Sequence, residues 1–236
     1  MHSNKRVLVA GGTGALGRAV ALAFLEQGAT VVVTGRRRQE YDALVAAAGN
    51  DRERLSAVFA DVTDASAVAR MVSELVERQG RLDVLVDAVG GWEGGASVWE
   101  TEPESYARML AMNLATAFAL TRAALPHMIR EGRGWIVGVA SKAAFAPAAG
   151  AAAYAASKAG AVALFQAVAE EVKPHRINVN VVAPSVFDTA ANRAAMPAAD
   201  FARWPKPEDI AQVILFLCSE AARVVHGAVI PVYGQT

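Results

Sequence analysis

The chain has 236 residues, 54% of them hydrophobic, and its 23 basic side chains balance 23 acidic ones. That length can bury the core of one large α/β domain, and the charge balance argues against a nucleic-acid or acidic-membrane partner. A single cysteine, Cys218, excludes an internal disulfide; set in the apolar run VILFLCSE, it reads as a packing residue. His2, His127, His175 and His226 are scattered without ligand spacing, so no metal is expected and the four read as surface or cap residues. The start, MHSNKR followed by VLVAGG, lacks a secretory hydrophobic region. No apolar run reaches the ~18–20 residues of a membrane span. The expectation is a cytoplasmic protein with a small-molecule substrate and no membrane partner.

Arg6 to Ala10 is a short buried strand, followed by the glycine turn GGTGALG and a helix that stops at Gly28. Strand, glycine turn and helix form the front of a dinucleotide-binding unit. Its glycines let the backbone approach a pyrophosphate, and the helix N-terminus faces the negative charge. Ala29 to Thr34 is the second strand, and Gly35-Arg36-Arg37-Arg38 sits at its end. A carboxylate here would grip a ribose 2′-hydroxyl, whereas an arginine accommodates a 2′-phosphate. The three arginines favour NADPH over NADH; a solvated basic turn is the plainer alternative.

Residues 39–50 form a short helix, Leu55 to Ala60 a third strand, Ala65 to Gln79 an amphipathic helix and Leu82 to Ala88 a fourth strand. This alternation specifies a parallel sheet with right-handed crossovers. The loop Gly90-Gly-Trp-Glu-Gly-Gly95 follows that strand, at the sheet edge where ligands bind. Pro103 to Arg130 is a long helix that Pro126 is expected to kink or end, and it carries Asn113, a polar amide in an apolar run. The fifth strand, Gly134 to Ala140, ends at Ser141. Ala151 to Val172 is a helix, Arg176 to Val182 the sixth strand, and 184–204 a loop broken by prolines, placed to serve as a substrate lid. Pro207 to Ser219 is a capped helix and Ala228 to Tyr233 the last strand. No repeat, linker or second domain is evident.

The run from Ser141 to Lys158 carries the chemistry. Tyr154 and Lys158 lie four residues apart, on one face of a helix. An ammonium within about 4–6 Å lowers a phenol's pKa, so that it can exchange a proton with a carbonyl or alcohol oxygen. Ser141, at the end of a strand, would hydrogen-bond the same oxygen. By itself an alanine-rich helix with a chance tyrosine and lysine would read the same way.

Together these residues resemble the short-chain dehydrogenase/reductase family over essentially the whole chain. The pattern joins Gly11 to Gly17, Asp61-Val62, Asn113, Ser141, Tyr154, Lys158, Pro184 and PEDIA at 207–211. The resemblance implies a single-domain, Rossmann-type doubly wound parallel sheet of about seven strands, with the lid at about 184–206. It implies an Asn113-Ser141-Tyr154-Lys158 tetrad with Tyr154 as acid/base. Lys158 would hold the nicotinamide ribose and lower the tyrosine pKa. Ser141 would position the carbonyl, and Asn113 would support a water relay behind Lys158. It implies cofactor contacts from Gly11, Thr13, Gly14, Ala15, Leu16 and Gly17, from Arg36, from Asp61 and Val62 beside the adenine, and from Gly90, Pro184 and Thr189. The two long helices would pair copies into a homodimer or homotetramer.

The chain departs from the family's usual pattern at several places. Ala10, Gly14 and Ala15 alter the glycine turn, Asp87-Ala88-Val89-Gly90 replaces Asn-Asn-Ala-Gly, and Ser185 replaces a glycine after Pro184. GGTGALG, GGWEGG and residues 187–204 also resemble the quinonoid dihydropteridine reductases. That family lacks the tetrad serine and carries an acid where this chain has Arg36. Three functions follow: NADPH-linked carbonyl reduction, reduction of a pterin-like quinonoid ring on which Trp92 stacks, or non-catalytic dinucleotide binding. Trp204, in the lid, reads as a packing anchor.

Overall fold

A computed structural model describes residues 2–236. Seven strands form one sheet: β1 (Arg6–Ala10), β2 (Thr30–Thr34), β3 (Leu55–Val58), β4 (Val84–Asp87), β5 (Gly134–Val139), β6 (Ile177–Pro184) and β7 (Val229–Val232). All neighbouring pairs are parallel, in the order β3-β2-β1-β4-β5-β6-β7. The order reverses between β1 and β4, which opens the crevice where such sheets bind ligands. The strands are apolar throughout because both faces are covered. In β1, Val7 and Val9 point into one core and Leu8 and Ala10 into the other.

The helices are α1 (Ala15–Glu26), α2 (Arg38–Ala48), α3 (Ala65–Gln79), α4 (Pro103–Leu110), α5 (Thr116–Glu131), α6 (Ala152–Val172), α7 (Ala190–Ala195) and α8 (Pro207–Leu217). α1 packs against α8 on one face; α3 packs against α5, and α6 lies on β6, on the other. Fusing the two faces through one sheet gives the single doubly wound domain that the alternation of elements predicts.

Three expectations need correction. The long helix is not interrupted at Pro126, which sits inside α5; it loosens instead at Ala111–Ala115, one turn of π-helix centred on Asn113. A π turn commonly marks a functional site, and here it turns Asn113 into the interior. Second, the combined helix Pro103–Glu131 is long and apolar enough, by length and composition, to cross a membrane. Part of it is buried where it packs against α3 and α6. Third, the segment expected to serve as a lid is not all loop: Thr189 caps the short helix α7.

Candidate active site

Between β1 and α1 the chain turns through Gly11, whose φ of +72° is left-handed. A Cβ on Gly17 would stand 2.2 Å from the Gly11 carbonyl oxygen, so only glycine lets helix and turn approach this closely. Gly14 is the N-cap and makes no side-chain cap; the first turn, opened by Ala15, Leu16 and Gly17, contains no acid. The N–H groups and positive dipole end of α1 are therefore left for an anion. Thr13 Oγ1 donates to Glu40 Oε2 at 3.2 Å.

The three arginines after β2 differ. Arg37 pairs with Glu40, and Arg38 Nε bonds Asp42 Oδ1 at 3.0 Å. Arg36, exposed just after Gly35, makes no ion pair among the described residues. Its charge contributes to lowering the Asp61 pKa, behind the larger effect of Thr63, whose hydroxyl and N–H both donate to Asp61 Oδ1 at 2.7 and 2.9 Å. Val62 packs partly buried against the core.

At the strand ends beyond β4 and β5 the remaining residues converge. Asn113 is 2% exposed. Its Oδ1 accepts the Gly91 N–H at 3.0 Å, and its Nδ2 donates to Gly91 O and to Ser157 Oγ, both at 3.1 Å. Ser157 in turn donates to the Tyr154 carbonyl at 2.7 Å. A Cβ on Gly90 would lie 2.9 Å from both Asn113 Oδ1 and Lys158 Nζ, so a bare backbone is needed there. Lys158 Nζ donates to the Val139 carbonyl at 2.9 Å, at the end of β5. Ser141 follows, half-buried, its Oγ accepting the Ala143 N–H at 3.2 Å. Gly90, Asn113, Tyr154 and Lys158 are thus joined by contacts, with Ser141 two residues beyond the lysine's backbone partner.

The electrostatics differ from the sequence expectation. Burial holds the Tyr154 phenol above its ordinary value, and hydrogen bonding with Ser141 offsets part of this. Burial also pulls Lys158 down to about 8, partly opposed by the carboxylate of Asp87. Lysine-driven lowering of the tyrosine is not what this structure shows, because the ammonium is directed at the Val139 carbonyl.

The loop after β4 is fastened on both sides. Glu93 accepts from Ser105 and from Arg108 at 2.8 Å, and the Gly95 N–H donates to Gly150 O at 2.9 Å, just before α6. Trp92, in the middle, is 64% exposed. Pro184 ends β6, in register with Val232. Thr189 Oγ1 accepts the Asn192 N–H at 3.1 Å. Trp204 is buried against Phe201, with ring centroids 5.0 Å apart, as a packing anchor. Ser185 Oγ donates to Tyr233 O at 2.8 Å, a tie that the usual glycine could not make.

Sequence reasoning missed Ser157, whose role appears only when α6 docks against the π turn. It also misplaced His2, which is buried edge-on to Phe24 and whose pKa burial lowers to about 4. Cys218 is buried and its thiol pushed up to about 12, so it is inert packing.

A family model described as short chain dehydrogenase matches residues 5–200. The chain is 33% identical to 3-oxoacyl-[acyl-carrier-protein] reductase FabG of Thermotoga maritima, over 98% of this chain and 96% of that one. It is 33% identical to meso-2,3-butanediol dehydrogenase of Serratia marcescens, over 98% and 94%. The solved structure of ElxO with NADP bound superposes with a TM-score of 0.92 at 26% identity, covering 98% of both chains. The chain belongs to the short-chain dehydrogenase/reductase family of NAD(P)-dependent oxidoreductases.

Proposed function

We propose that the chain is an NADPH-dependent reductase of a ketone or aldehyde, with Tyr154 as its acid/base. The observation that carries this reading is the contact network joining Gly90, Asn113, Tyr154 and Lys158 beside Ser141, at the carboxyl edge of the sheet. Residues from four separate segments meet where α/β sheets bind ligands.

The cradle fits a nicotinamide dinucleotide. The left-handed Gly11 turn and the uncapped N-terminus of α1, with Thr13 and Gly14 to Gly17, suit a pyrophosphate. Arg36, left without an ion pair, suits a 2′-phosphate, and the ElxO structure holds NADP in the same fold. Asp61 and Val62 would flank the adenine, Gly90 and Lys158 the second ribose, and Pro184 and Thr189 the carboxamide. When bound, the cofactor supplies the hydride.

The chain's own residues then manage the proton. Ser141 holds the substrate carbonyl oxygen toward the phenol, and Tyr154 donates its proton to that oxygen as negative charge develops there. A phenol held above its ordinary pKa by burial is fully protonated at neutral pH, which suits the reductive direction. Asn113 holds the loop and α6 in register, and the segment 184–206 serves as the lid over the substrate. The protein is cytoplasmic in this reading and pairs through α4, α5 and α6 into a homodimer or homotetramer, as the exposed Phe118 on α5 suggests.

Exposed Trp92 favours one second reading, a flat quinonoid substrate such as a dihydropterin stacked on the indole. The test is NADPH oxidation by the purified protein on ketones and aldehydes, with a quinonoid dihydropterin generated in situ alongside. Turnover of a carbonyl that Tyr154→Phe abolishes while NADPH still binds supports the first reading. Fast pterin turnover with slow carbonyls transfers support to the second. NADPH binding without any turnover leaves a non-catalytic dinucleotide-binding protein.

A further inference from the structure

Asp87 ends β4, in register with Ala10 of β1 and Gly138 of β5, at the point where the strand order reverses. It stands where the family's usual run has asparagine. The side chain is 4% exposed. One oxygen, Oδ1, accepts the Val89 N–H at 3.1 Å. A buried carboxylate persists only when neutralised or paired. β1 and β5 bring it Ala10, Gly138 and Val139, and the buried residues of α5, which packs on β4, include no ionisable group. The charged group brought close to it is Lys158 of α6: without a direct ion pair to Asp87, it is itself 5% exposed and bonded to the carbonyl of Val139, one residue beyond Gly138, the partner of Asp87 in the sheet.

We propose that Asp87 is a positioning residue for Lys158: its carboxylate keeps that side chain an ammonium, anchored at the end of β5, and so sets the pH range over which the Tyr154 site works. The inference rests on the Tyr154–Lys158 reading above. It makes the working pH range a property of this chain's Asp87, because an asparagine in its place would carry no charge. Burial raises Asp87 to about 6 and lowers Lys158 to about 8, so the charged pair exists between those limits. Below them the carboxylate is neutral and no longer favours the charged lysine; above them the lysine is neutral, and the ammonium that bonds the Val139 carbonyl and would hold the second ribose beside Tyr154 is lost.

The experiment is the pH profile of kcat/KM for carbonyl reduction, from pH 5 to 10, in the wild type, Asp87→Asn and Tyr154→Phe. Asparagine keeps an oxygen for the Val89 N–H and removes only the charge. The acid limb near pH 6 should vanish in Asp87→Asn. The alkaline limb should move down by about one pH unit, the usual effect of removing an opposite charge. A variant with lower turnover at every pH but unmoved limbs has lost only structure, and that result overturns the proposal. A measurement independent of turnover is the carboxyl carbon resonance of Asp87. Titration near 6 is expected in the wild type and at higher pH in Lys158→Met, where the opposite charge is gone; a titration that does not move overturns the pairing. If Tyr154→Phe keeps its turnover, the acid/base reading fails while the Asp87 resonance still reports the pair. If Tyr154→Phe is inactive and the Asp87→Asn limbs do not move, only the Asp87 proposal fails.

Discussion

Asn113 Nδ2 lies 3.1 Å from Ser157 Oγ, and that bond fastens the π turn of the long helix to the first turns of α6. Ser157 passes the connection to the Tyr154 carbonyl, and the same amide closes two bonds with Gly91. Asn113 is thus the joint between the loop after β4 and the helix that carries the tyrosine. Asn113→Ala leaves the Gly91 N–H and the Ser157 hydroxyl without this partner in a buried setting. Each such loss costs about 1–3 kcal/mol, so urea unfolding should show a loss of at least that size. Turnover should fall as well, because the tyrosine helix and the loop no longer share a register.

Much of this architecture is legible in the sequence. Apolar runs separated by amphipathic stretches give the strand order its parallel character, and the glycine turn marks the passage from β1 to α1. The tyrosine–lysine spacing places the pair on one helical face. What the sequence could not reveal depends on docking between elements. Asn113 reads as an interior amide in an apolar run, yet only the packing of α5 on α6 shows that it loosens its own helix. Pro126 reads as a breaker, but the helix around it is held by burial on the sheet, and tertiary packing overrides local preference. The tyrosine pKa departs from the sequence expectation for the same reason: spacing puts a lysine nearby, and burial with the Val139 carbonyl decides where its charge points.

Arg36 is the arginine of its cluster that Glu40 and Asp42 leave unpaired. A guanidinium on a phosphate makes charged hydrogen bonds, each worth roughly 1.5–3 kcal/mol. Arg36→Ala should therefore raise KM for NADPH by roughly tenfold or more, with little change for NADH. The comparison is steady-state kinetics with the two cofactors on one substrate. An unchanged NADPH KM assigns the 2′-phosphate to another residue. Arg37→Ala and Arg38→Ala should matter less, since both guanidiniums already have carboxylate partners on α2.

Gly90 admits no side chain, because a Cβ would come within 2.9 Å of Lys158 Nζ and of Asn113 Oδ1. Gly90→Ala should push the lysine off its bond to Val139 and lower kcat by about a hundredfold, the lower end of the range for a displaced proton-transfer site. The protein should remain folded, since Gly90 is exposed on its other side. Circular dichroism and kinetics on one preparation separate the two effects.

Ser141 distinguishes the two substrates. Its hydroxyl offsets part of the burial effect on Tyr154, and it is placed to orient a carbonyl oxygen. Carbonyl reduction should drop by about 10²–10³ in Ser141→Ala, the range for removing one donor to a developing oxyanion. Reduction of a quinonoid C=N system has no such oxygen to orient, so the same variant should leave pterin turnover nearly unchanged. Parallel losses on both substrates would show that Ser141 acts through the tyrosine rather than on the substrate.

Asp87 and Lys158 make the site less stable than its surroundings would otherwise be. The folded-state pKa of Asp87 is raised to about 6, so folding favours its neutral form; that contribution is complete below its ordinary value of 3.8 and is lost as pH rises through 6. Lys158 is lowered to about 8 from 10.5, so its contribution is complete above 10.5 and is lost as pH falls through 8. Between pH 6 and 8 both charges are buried at the same time, and their attraction has to offset the loss of water around each. Replacing both at once, as Asp87→Asn with Lys158→Met, should therefore leave stability at pH 7 unchanged or raise it by about 1–4 kcal/mol, the range seen when buried ion pairs give way to neutral side chains. Removing the lysine alone should destabilise, since it strands the carboxylate. Urea unfolding at pH 7 of the wild type, Lys158→Met and the double variant reads all three. A double variant less stable than the wild type would mean that the pair holds the fold together, while the expected order means that the fold gains nothing from keeping both charges at this edge of the sheet.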